Sequence, residues 1–308
     1  MKIVIAGGSG ALGRRLCEDL EANGHEVVVL TRRARPGARF RQVEWDGRTV
    51  GPWASELEGS AVINLAGELV DRRPTAANVD LLTRSRVEPT RALVQASASL
   101  SEPVPVWLQA STLAIYGDAG EQVLDESAPP ADGPPQMAGV ATAWEAAVEG
   151  ANAVRLSTLR TGIVLDTDTP ALDRLLGLAR WGLGGRVGPG TQWISWLHIE
   201  DWLRVVRLLL GPEGAGLSGI VHVTGPQPVR NAELMAALRR SVRRPASPPT
   251  PSPLVRVGAV LLRTDPALAL TGRRAVPARL LEAGFEFRHP DLDAALADLV
   301  SRPVAAGR

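Results

Sequence analysis

The chain has 308 residues, of which 45% are hydrophobic, and a formal net charge of +1. This length suits one large or two modest domains, and the balanced charge excludes a broad nucleic-acid surface. Because Cys17 is the single cysteine, the chain cannot form an internal disulfide or a cysteine metal cluster. The sequence shows no run of about 18 apolar residues and no signal peptide, so we expect no membrane span and a cytoplasmic protein.

A strand, a glycine-rich turn and a helix open the sequence. Lys2 to Ala6 is a short β-branched run that predicts a buried parallel strand, and a helical leucine pattern follows. Glycines between them let the backbone approach phosphates, and the helix N-terminus offers N–H groups and partial positive charge. We predict that this turn binds the pyrophosphate of a dinucleotide; the alternative is a turn that only packs helix on strand. The expected cofactor contacts are Gly7, Ser9, Gly10, Ala11, Leu12 and Gly13.

Arginines follow the second predicted strand, Glu26 to Leu30. An enzyme that prefers NAD usually has a carboxylate at the end of this strand, which holds the ribose hydroxyls. Here Arg32, Arg33 and Arg35 stand in its place, and guanidinium groups bind phosphate through charge and a bidentate fork. We therefore predict NADP rather than NAD, with Arg32 as the main contact and Arg33 and the serine of the glycine turn as helpers. The alternative is a solvated arginine patch.

Strands and helices alternate through the first half of the chain. Further strands are predicted at 61–65, 104–110 and 154–160, and helices at 80–99 and 138–149. This alternation predicts an α/β fold, a Rossmann-like doubly wound parallel sheet. The strand at 61–65 ends in small residues that allow a cofactor to lie close. The expected contacts there are Leu65, Ala66 and Gly67.

The pattern changes after Leu165. Helices are predicted at 172–183, 199–210, 231–242, 254–270, 277–283 and 291–300, with a proline-rich connector at 243–253. Residues 219–224 predict a strand that rejoins the sheet, and Asn231 is a candidate helix cap. We therefore predict an NADP-binding Rossmann-like domain over residues 1–165 and a smaller, mostly helical cap or substrate domain over residues 166–308.

Several motifs resemble those of the extended short-chain dehydrogenase/reductase superfamily, also called the NAD-dependent epimerase/dehydratase family. They are Gly7-x-x-Gly10-x-x-Gly13, Asn64-Leu65-Ala66-Gly67, Ser111-Thr112-x-x-x-Tyr116-Gly117 and Leu159-Arg160-Thr161-Gly162. Two further segments, 192–201 and 277–287, resemble an atypical subgroup of uncharacterised "epimerase family" proteins with an extra C-terminal domain of unknown function. The resemblance covers nearly the whole chain and implies homodimers that pair through two long helices of the sheet domain.

The resemblance also implies a proton relay that this chain cannot build. The superfamily normally uses a Ser or Thr hydroxyl, a tyrosine and a lysine four residues after it, and Thr112 lies where the hydroxyl belongs. The tyrosine and lysine would lie near Met137 and Ala141, which carry neither group. The sequence has no lysine after Lys2, and its only tyrosine, Tyr116, follows a strand. We interpret the loss as a trait of the atypical subgroup.

Polar groups near the strand ends remain as candidates, each with a structural alternative. Thr112 and Ser111 lie where ligands of α/β sheets bind, or their hydroxyls cap loop backbone. Tyr116 replaces the missing acid, or packs under the cap with its hydroxyl on backbone. His198 passes a proton, or bridges loops. Arg160 faces a phosphate or carboxylate, or forms a buried ion pair. We assign catalysis to Thr112, Tyr116 and His198, and cofactor binding to Ser111 and Arg160.

Two functions follow from these observations. The first is an NADP(H)-binding oxidoreductase or epimerase that acts on a small carbonyl, hydroxyl or sugar-like compound. The second, suggested by the missing tyrosine and lysine, is an NADPH-sensing regulatory protein that has lost turnover. Neither hypothesis requires a metal, a nucleic acid or a membrane, and both include a small-molecule site.

Overall fold

The computed structural model describes residues 1–167 and 169–301. Thirteen strands lie within these ranges: β1 (Lys2–Ala6), β2 (Glu26–Thr31), β3 (Arg41–Glu44), β4 (Ala61–Asn64), β5 (Trp107–Thr112), β6 (Val123–Leu124), β7 (Leu156–Thr161), β8 (Ile163–Leu165), β9 (Trp193–Ile194), β10 (Trp196–His198), β11 (Gly219–Val223), β12 (Val229–Arg230) and β13 (Arg274–Ala275).

Ten α-helices connect or flank these strands: α1 (Ala11–Ala22), α2 (Ala76–Ala98), α3 (Val140–Ala146), α4 (Pro170–Arg180), α5 (Ile199–Leu210), α6 (Asn231–Ser241), α7 (Ser252–Leu262), α8 (Ala267–Leu270), α9 (Ala278–Glu282) and α10 (Leu292–Ser301). None of the helices in the described part of the chain has the length and apolar character needed to cross a bilayer.

A single seven-stranded sheet forms the centre of the fold, in the order β11-β7-β5-β4-β1-β2-β3. Every neighbouring pair in it is parallel, which confirms the predicted doubly wound, Rossmann-like sheet. Strand order reverses at β1, whose last residue, Ala6, pairs with Leu30 of β2 and with Asn64 of β4. The carboxyl ends of these strands therefore meet at one edge, where ligands of such sheets bind.

Helices cover both faces of the sheet because successive residues of a strand point to opposite sides. On one side, Ile5 lies in the same buried cluster as Leu16 of α1 and Trp202 of α5. On the other side, Val4 lies in a cluster with Leu93 of α2. The first cluster joins helices from both halves of the sequence, so α5 belongs to the packing of the sheet. The predicted domain boundary at residue 165 stays a prediction.

Two expectations about individual elements were wrong, and one strand of the sheet was not predicted. The sequence analysis missed β3 (Arg41 to Glu44), which has a single apolar side chain, Val43, because the strand lies at the edge of the sheet and is partly exposed. The predicted helix 254–270 is two helices, since Arg263 adopts a left-handed φ of 57° that ends α7. Asn231 does not cap α6; the cap is Arg230, and the Asn231 side chain accepts a hydrogen bond from the Val187 N–H.

The predicted return of residues 219–224 to the sheet is confirmed, and the returning strand β11 is an edge strand. Its outward backbone groups are bound by side chains. A Glu126 carboxylate oxygen accepts from the His222 N–H at 3.0 Å, and the Arg279 guanidinium donates to the Ile220 carbonyl at 2.5 Å. These contacts fix the segment 125–126 and helix α9 against the sheet.

Candidate cofactor and active site

The glycine turn brings β1, α1 and the end of β4 closer together than side chains would allow. Gly7 has a φ of +83°, and a Cβ there would lie 2.7 Å from the Leu65 carbonyl carbon. A Cβ on Gly13 would collide with the Gly7 carbonyl oxygen. Gly10 closes the turn by donating its N–H to that oxygen at 3.0 Å. Gly7 and Gly13 are therefore required for packing, which leaves Gly10 at the open side of the turn.

The N-terminus of α1 has the properties of an anion-binding site. Among the described residues no side chain caps this helix, and its first turn contains no acidic residue. The first-turn N–H groups, those of Ala11, Leu12 and Gly13, lie beside Ser9 and Gly10, which are exposed. Free N–H groups and the helix dipole favour a phosphate at this position. The geometry thus agrees with the predicted pyrophosphate cradle.

Two exposed arginines follow β2, as the sequence predicts. The Arg32 side chain is 78% exposed, and its Nη2 lies 3.7 Å from Oε1 of Glu68. Arg33 is also exposed, and its N–H donates to the Thr31 hydroxyl. A guanidinium group that projects into solvent beside the cradle can close on a 2′-phosphate. Glu68, a carboxylate near Arg32 that the sequence analysis missed, would compete with that phosphate.

The loop of Leu65, Ala66 and Gly67 is held against α2 by Arg86 of that helix. A Cβ on Gly67 would lie 3.0 Å from the Arg86 guanidinium carbon, and this guanidinium donates to the Glu68 carbonyl at 2.9 Å. Burial lowers the pKa of Arg86 to about 10. This value is still well above neutral pH, so the guanidinium stays charged. Arg86 therefore fixes the path of the loop predicted to touch the cofactor. Sequence spacing gave no sign of this contact.

Thr112 ends β5 and begins the short helical turn Leu113–Tyr116. Its Oγ1 accepts a hydrogen bond from the Ala114 N–H at 3.1 Å. This contact uses a lone pair of the hydroxyl, so it leaves the hydroxyl hydrogen to be donated to a ligand. Thr112 is partly exposed at the carboxyl edge of the sheet. Backbone capping and ligand binding, which the sequence left as alternatives, are compatible here.

Ser111, Tyr116 and Arg160, three of the predicted site residues, are joined in one polar network around Glu145 of α3. The Arg160 guanidinium donates to both Glu145 carboxylate oxygens, at 2.9 and 2.8 Å, and the Ser111 hydroxyl donates to one of them at 2.5 Å. Arg160 also donates to the Tyr116 hydroxyl at 2.6 Å. Burial opposes the charge on Arg160, but the hydrogen bonds and charge of Glu145 raise its pKa overall. Arg160 thus forms the buried ion pair that the sequence left as its alternative.

His222 completes this network from the edge strand β11. Its Nδ1 lies 3.0 Å from the Val276 carbonyl oxygen, so Nδ1 carries the hydrogen and Nε2 accepts from the Tyr116 hydroxyl at 2.6 Å. Burial lowers the pKa of His222 and raises that of Tyr116, so both groups are neutral near pH 7. Only 4% of Tyr116 is exposed. This position favours packing over proton transfer to a ligand, and the catalytic role of Tyr116 stays a prediction.

His198 lies in a different place from the other predicted site residues. Its ring is fully buried, and its Nδ1 caps α5 by accepting from the Glu200 N–H at 3.1 Å. Its Nε2 lies 3.1 Å from an Asp298 oxygen of α10, and the ring stacks on His289 with centroids 3.8 Å apart. The structure therefore favours the structural alternative for His198, a link between α5 and the C-terminal segment.

The same cluster contains the ligand atoms of a conceivable metal site. Three side chains, those of His198, His289 and Asp298, each offer one ligand atom, and these three atoms lie within 4.8 Å of one another. However, the Glu200 N–H can only donate, so Nδ1 of His198 is unprotonated and the hydrogen of the neutral ring is on Nε2, facing Asp298. A metal ion at Nε2 would require the ring hydrogen on Nδ1, where it would face the Glu200 N–H. The geometry therefore describes a hydrogen-bonded cluster better than a metal centre.

The positions expected to carry the tyrosine and lysine lie where the resemblance implies. Met137 is in a single wide helical turn, Pro135–Gly139, and Ala141 is in α3, which follows directly. Both side chains are buried. Trp144, one turn after Ala141, donates its indole N–H to the Thr90 hydroxyl of α2 and so fixes α3 against that helix. The helix start that is predicted to carry the tyrosine and the lysine thus has apolar side chains at both positions, and the loss of the usual proton relay stays a prediction.

A parallel sheet that reverses its strand order beside a glycine turn, with an uncapped helix after the turn, defines a Rossmann-type dinucleotide-binding fold. Sequence comparisons identify the family. The model of the NAD dependent epimerase/dehydratase family matches residues 3–138, and a domain of unknown function, DUF1731, matches residues 250–299.

Curated relatives match over almost their full length. An epimerase family protein of Mycobacterium leprae is 35% identical over 307 residues, which cover 98% of this chain and 96% of the relative. Human epimerase family protein SDR39U1 is 31% identical over 306 residues, with 98% and 100% covered. This chain therefore belongs to the NAD-dependent epimerase/dehydratase family, in the atypical group of SDR39U1, as the sequence motifs predict.

Solved structures agree with this assignment. The crystal structure of human SDR39U1 with NADPH has a TM-score of 0.86 and 30% identity and covers 97% of this chain and 99% of that one. A nucleoside-diphosphate sugar epimerase from Corynebacterium glutamicum has a TM-score of 0.77 and 29% identity, with 99% of this chain and 59% of that chain covered. MoeE5 in complex with UDP-glucose and NAD, at 20% identity and a TM-score of 0.74, shares the fold.

Proposed function

We propose that this protein is an NADP(H)-dependent oxidoreductase or epimerase that acts on a small carbonyl, hydroxyl or sugar-like compound. The observation that carries the proposal is the open cradle at α1, with Arg32 projecting beside it where a carboxylate would select NAD. The human relative crystallised with NADPH supports the same cofactor. A cytoplasmic location and a homodimer stay predictions.

In this proposal Thr112 binds the reacting oxygen of the substrate. Its hydroxyl hydrogen is free for donation while Ala114 holds the oxygen in place, and a fixed donor at this point stabilises charge that develops on a carbonyl oxygen. The nicotinamide, when bound, supplies or accepts a hydride. The Tyr116 hydroxyl is bound to His222 and Arg160, and His198 caps α5. We therefore infer that water, rather than either residue, exchanges the proton.

Two measurements test the proposal in sequence. Equilibrium titration should show tighter binding of NADPH than of NADH. Loss of NADPH absorbance should then be followed against a panel of carbonyl compounds, for wild type, Thr112→Val and Thr112→Ser. We expect Thr112→Val to lose turnover and Thr112→Ser, which keeps the hydroxyl, to retain most of it. Equal affinity for both dinucleotides would refute the cofactor assignment.

A regulatory protein that senses NADPH without turnover is the second candidate. It is favoured by Met137 and Ala141, which replace the usual tyrosine and lysine with groups that cannot transfer protons. It predicts tight NADPH binding, no NADPH consumption with any carbonyl compound, and a difference in protease sensitivity between the free and the bound protein. Turnover of a small molecule at rates typical of enzymes would exclude it.

A further inference from the structure

Two buried polar atoms beside the candidate site have no hydrogen-bond partner among the residues that the structure describes. They are Oε1 of Gln136 and Nε of Arg72. Gln136 is only 2% exposed, whereas the Arg72 side chain is 38% exposed and only its Nε atom is buried. Buried polar atoms are nearly always hydrogen-bonded, because burial without a partner is costly, and the exceptions often mark functional positions. An acceptor and a donor left without partners in neighbouring residues therefore need an explanation.

The orientation of the Gln136 amide is fixed by its other end. Nε2 of Gln136 donates to the Arg72 carbonyl oxygen at 2.8 Å. Rotating the amide by half a turn would place two carbonyl oxygens against each other, so the atom without a partner is the oxygen. Arg72 is held in turn by Glu68, whose Oε2 lies 3.4 Å from its Nη2. The Gln136 side chain is thus oriented before any ligand arrives, and Arg72 lies in an ion pair at the surface beside it.

Both residues flank the strand ends where Thr112 lies. Arg72 belongs to the segment that follows β4, and Gln136 belongs to the turn Pro135–Gly139, which packs against the turn Leu113–Tyr116 after β5. Gln136 directly precedes Met137, the position at which a catalytic tyrosine was expected. Wide helical turns of this kind often occur at functional sites. The pair therefore lies on the substrate side of the carboxyl edge of the sheet.

We propose that Gln136 and Arg72 bind the substrate through an adjacent hydroxyl and carbonyl, the arrangement of an α-hydroxy ketone, an α-hydroxy aldehyde or an open-chain sugar. The Arg72 Nε–H donates to an oxygen of the ligand, and the Gln136 oxygen accepts from its hydroxyl. A ligand with only acceptor oxygens would suit Arg72 but has no hydrogen for the Gln136 oxygen, so this pair favours ligands that also carry a hydroxyl. The proposal rests on the proposed function, since it defines the substrate class of the same site.

Acetoin and butanone test the proposal, because they differ by the hydroxyl next to the carbonyl. Binding of each to the NADP-loaded protein is measured by ligand-observed NMR, which needs no turnover. We expect wild type to bind acetoin about tenfold more tightly than butanone, as one hydrogen bond would provide. Gln136→Leu should abolish this preference while NADPH affinity stays unchanged. Gln122→Leu, at an exposed glutamine, is the matched control and should behave as wild type.

A second variant tests the Arg72 contact separately. Arg72→Met keeps the apolar stem but removes the donor to the carbonyl oxygen that both ketones share, so it should weaken the binding of acetoin and of butanone alike. Equal binding of the two ketones by wild type, no binding of either, a preference that survives in Gln136→Leu, or unchanged binding of both ketones by Arg72→Met would overturn the proposal. If acetoin binds selectively but NADPH is never consumed, binding of the substrate by Gln136 and Arg72 is supported and the proposed turnover is refuted. A failure of this substrate proposal can thus be told apart from a failure of the proposed function.

Discussion

The Tyr116 hydroxyl lies 2.6 Å from Nε2 of His222, although the two residues are 106 positions apart in the sequence. Their rings also meet edge to face, with centroids 5.4 Å apart. This contact joins the turn after β5 to the returning strand β11. Tyr116 is therefore a link between two parts of the chain that enclose the site.

Tyr116→Phe tests whether this link stabilises the fold or takes part in catalysis. Losing the hydroxyl leaves His222 Nε2 and Arg160 Nη1 without that partner, so we expect the free energy of unfolding to fall by about 1–3 kcal/mol. Turnover per folded molecule should stay near that of wild type. Urea unfolding and NADPH consumption measure the two effects, with Thr112→Val as the contrast. A Tyr116→Phe protein that is stable but inactive would indicate that Tyr116 is the proton donor of the reaction.

Stability should fall in mild acid because His222 is buried. Burial lowers the pKa of His222 below its usual 6.5, so the unfolded chain takes up a proton that the folded protein refuses. Its contribution is fully present above pH 6.5 and is lost as the pH falls below that value. Melting temperatures at about pH 7.5 and pH 5.5 measure the loss. His222→Gln should reduce this difference in melting temperature. His25→Gln is the control: His25 is more exposed, burial lowers its pKa as well, and its replacement should reduce the difference less.

Arg32→Ser should separate the two dinucleotides. Removing a charged hydrogen bond to the 2′-phosphate is expected to weaken NADPH binding by about tenfold or more and to leave NADH binding unchanged. Isothermal titration measures both affinities. Arg48→Ser is the matched control, because Arg48 is also exposed but pairs with Glu88. An equal loss for both dinucleotides would show that Arg32 contacts another part of the cofactor.

Glu68→Gln should act in the opposite direction. The Glu68 carboxylate lies 3.7 Å from Arg32 at an exposed position, where such pairs contribute little. Its removal frees Arg32 for the phosphate, so we expect NADPH affinity to rise by about twofold. Titration at low and high salt provides the check, since screening should shrink the gain. Weaker NADPH binding by the variant would contradict the idea of competition.

Two glycine substitutions should separate folding from cofactor binding. A Cβ on Gly13 would collide with the Gly7 carbonyl oxygen, so Gly13→Ala should lower the free energy of unfolding by about 1–3 kcal/mol. Gly10 has a φ of −71°, and its Cβ would lie 3.3 Å from the same oxygen, so Gly10→Ala should fold. Its methyl group would occupy the open side of the cradle and weaken NADPH binding. Melting temperatures of the two variants with and without NADPH measure both effects. If Gly10→Ala binds NADPH as tightly as wild type, the cofactor does not bind at this turn.

Cys17 should be inert in the folded protein. The thiol is buried in the first core cluster, and burial raises its pKa to about 12, so almost no thiolate forms at neutral pH. We expect alkylation by iodoacetamide to be slow in buffer and fast in concentrated urea. Mass spectrometry over time measures both rates. Rapid modification without denaturant would mean that α1 separates readily from the sheet.

Local patterns predicted the elements that carry their own signals. The helix expected at 199–210 is α5 with the same bounds, because its apolar face is regular and His198 caps its start. The strand β3 was missed, since Arg41 to Glu44 has no apolar run to mark it. The network around Glu145 was also missed. Glu145 lies on α3 and Arg160 on β7, and nothing in the spacing shows that a helix and a strand will bring them together.

The contacts of Glu126 and Arg279 with β11 have a consequence for self-association. An open strand at the margin of a sheet is a template on which another polypeptide can add, and this is a common route to aggregation. Here the amide of His222 and the carbonyl of Ile220 are already occupied. Growth of the sheet from one molecule into the next is therefore blocked on that side, and addition of another chain to the sheet is left to the opposite edge, β3.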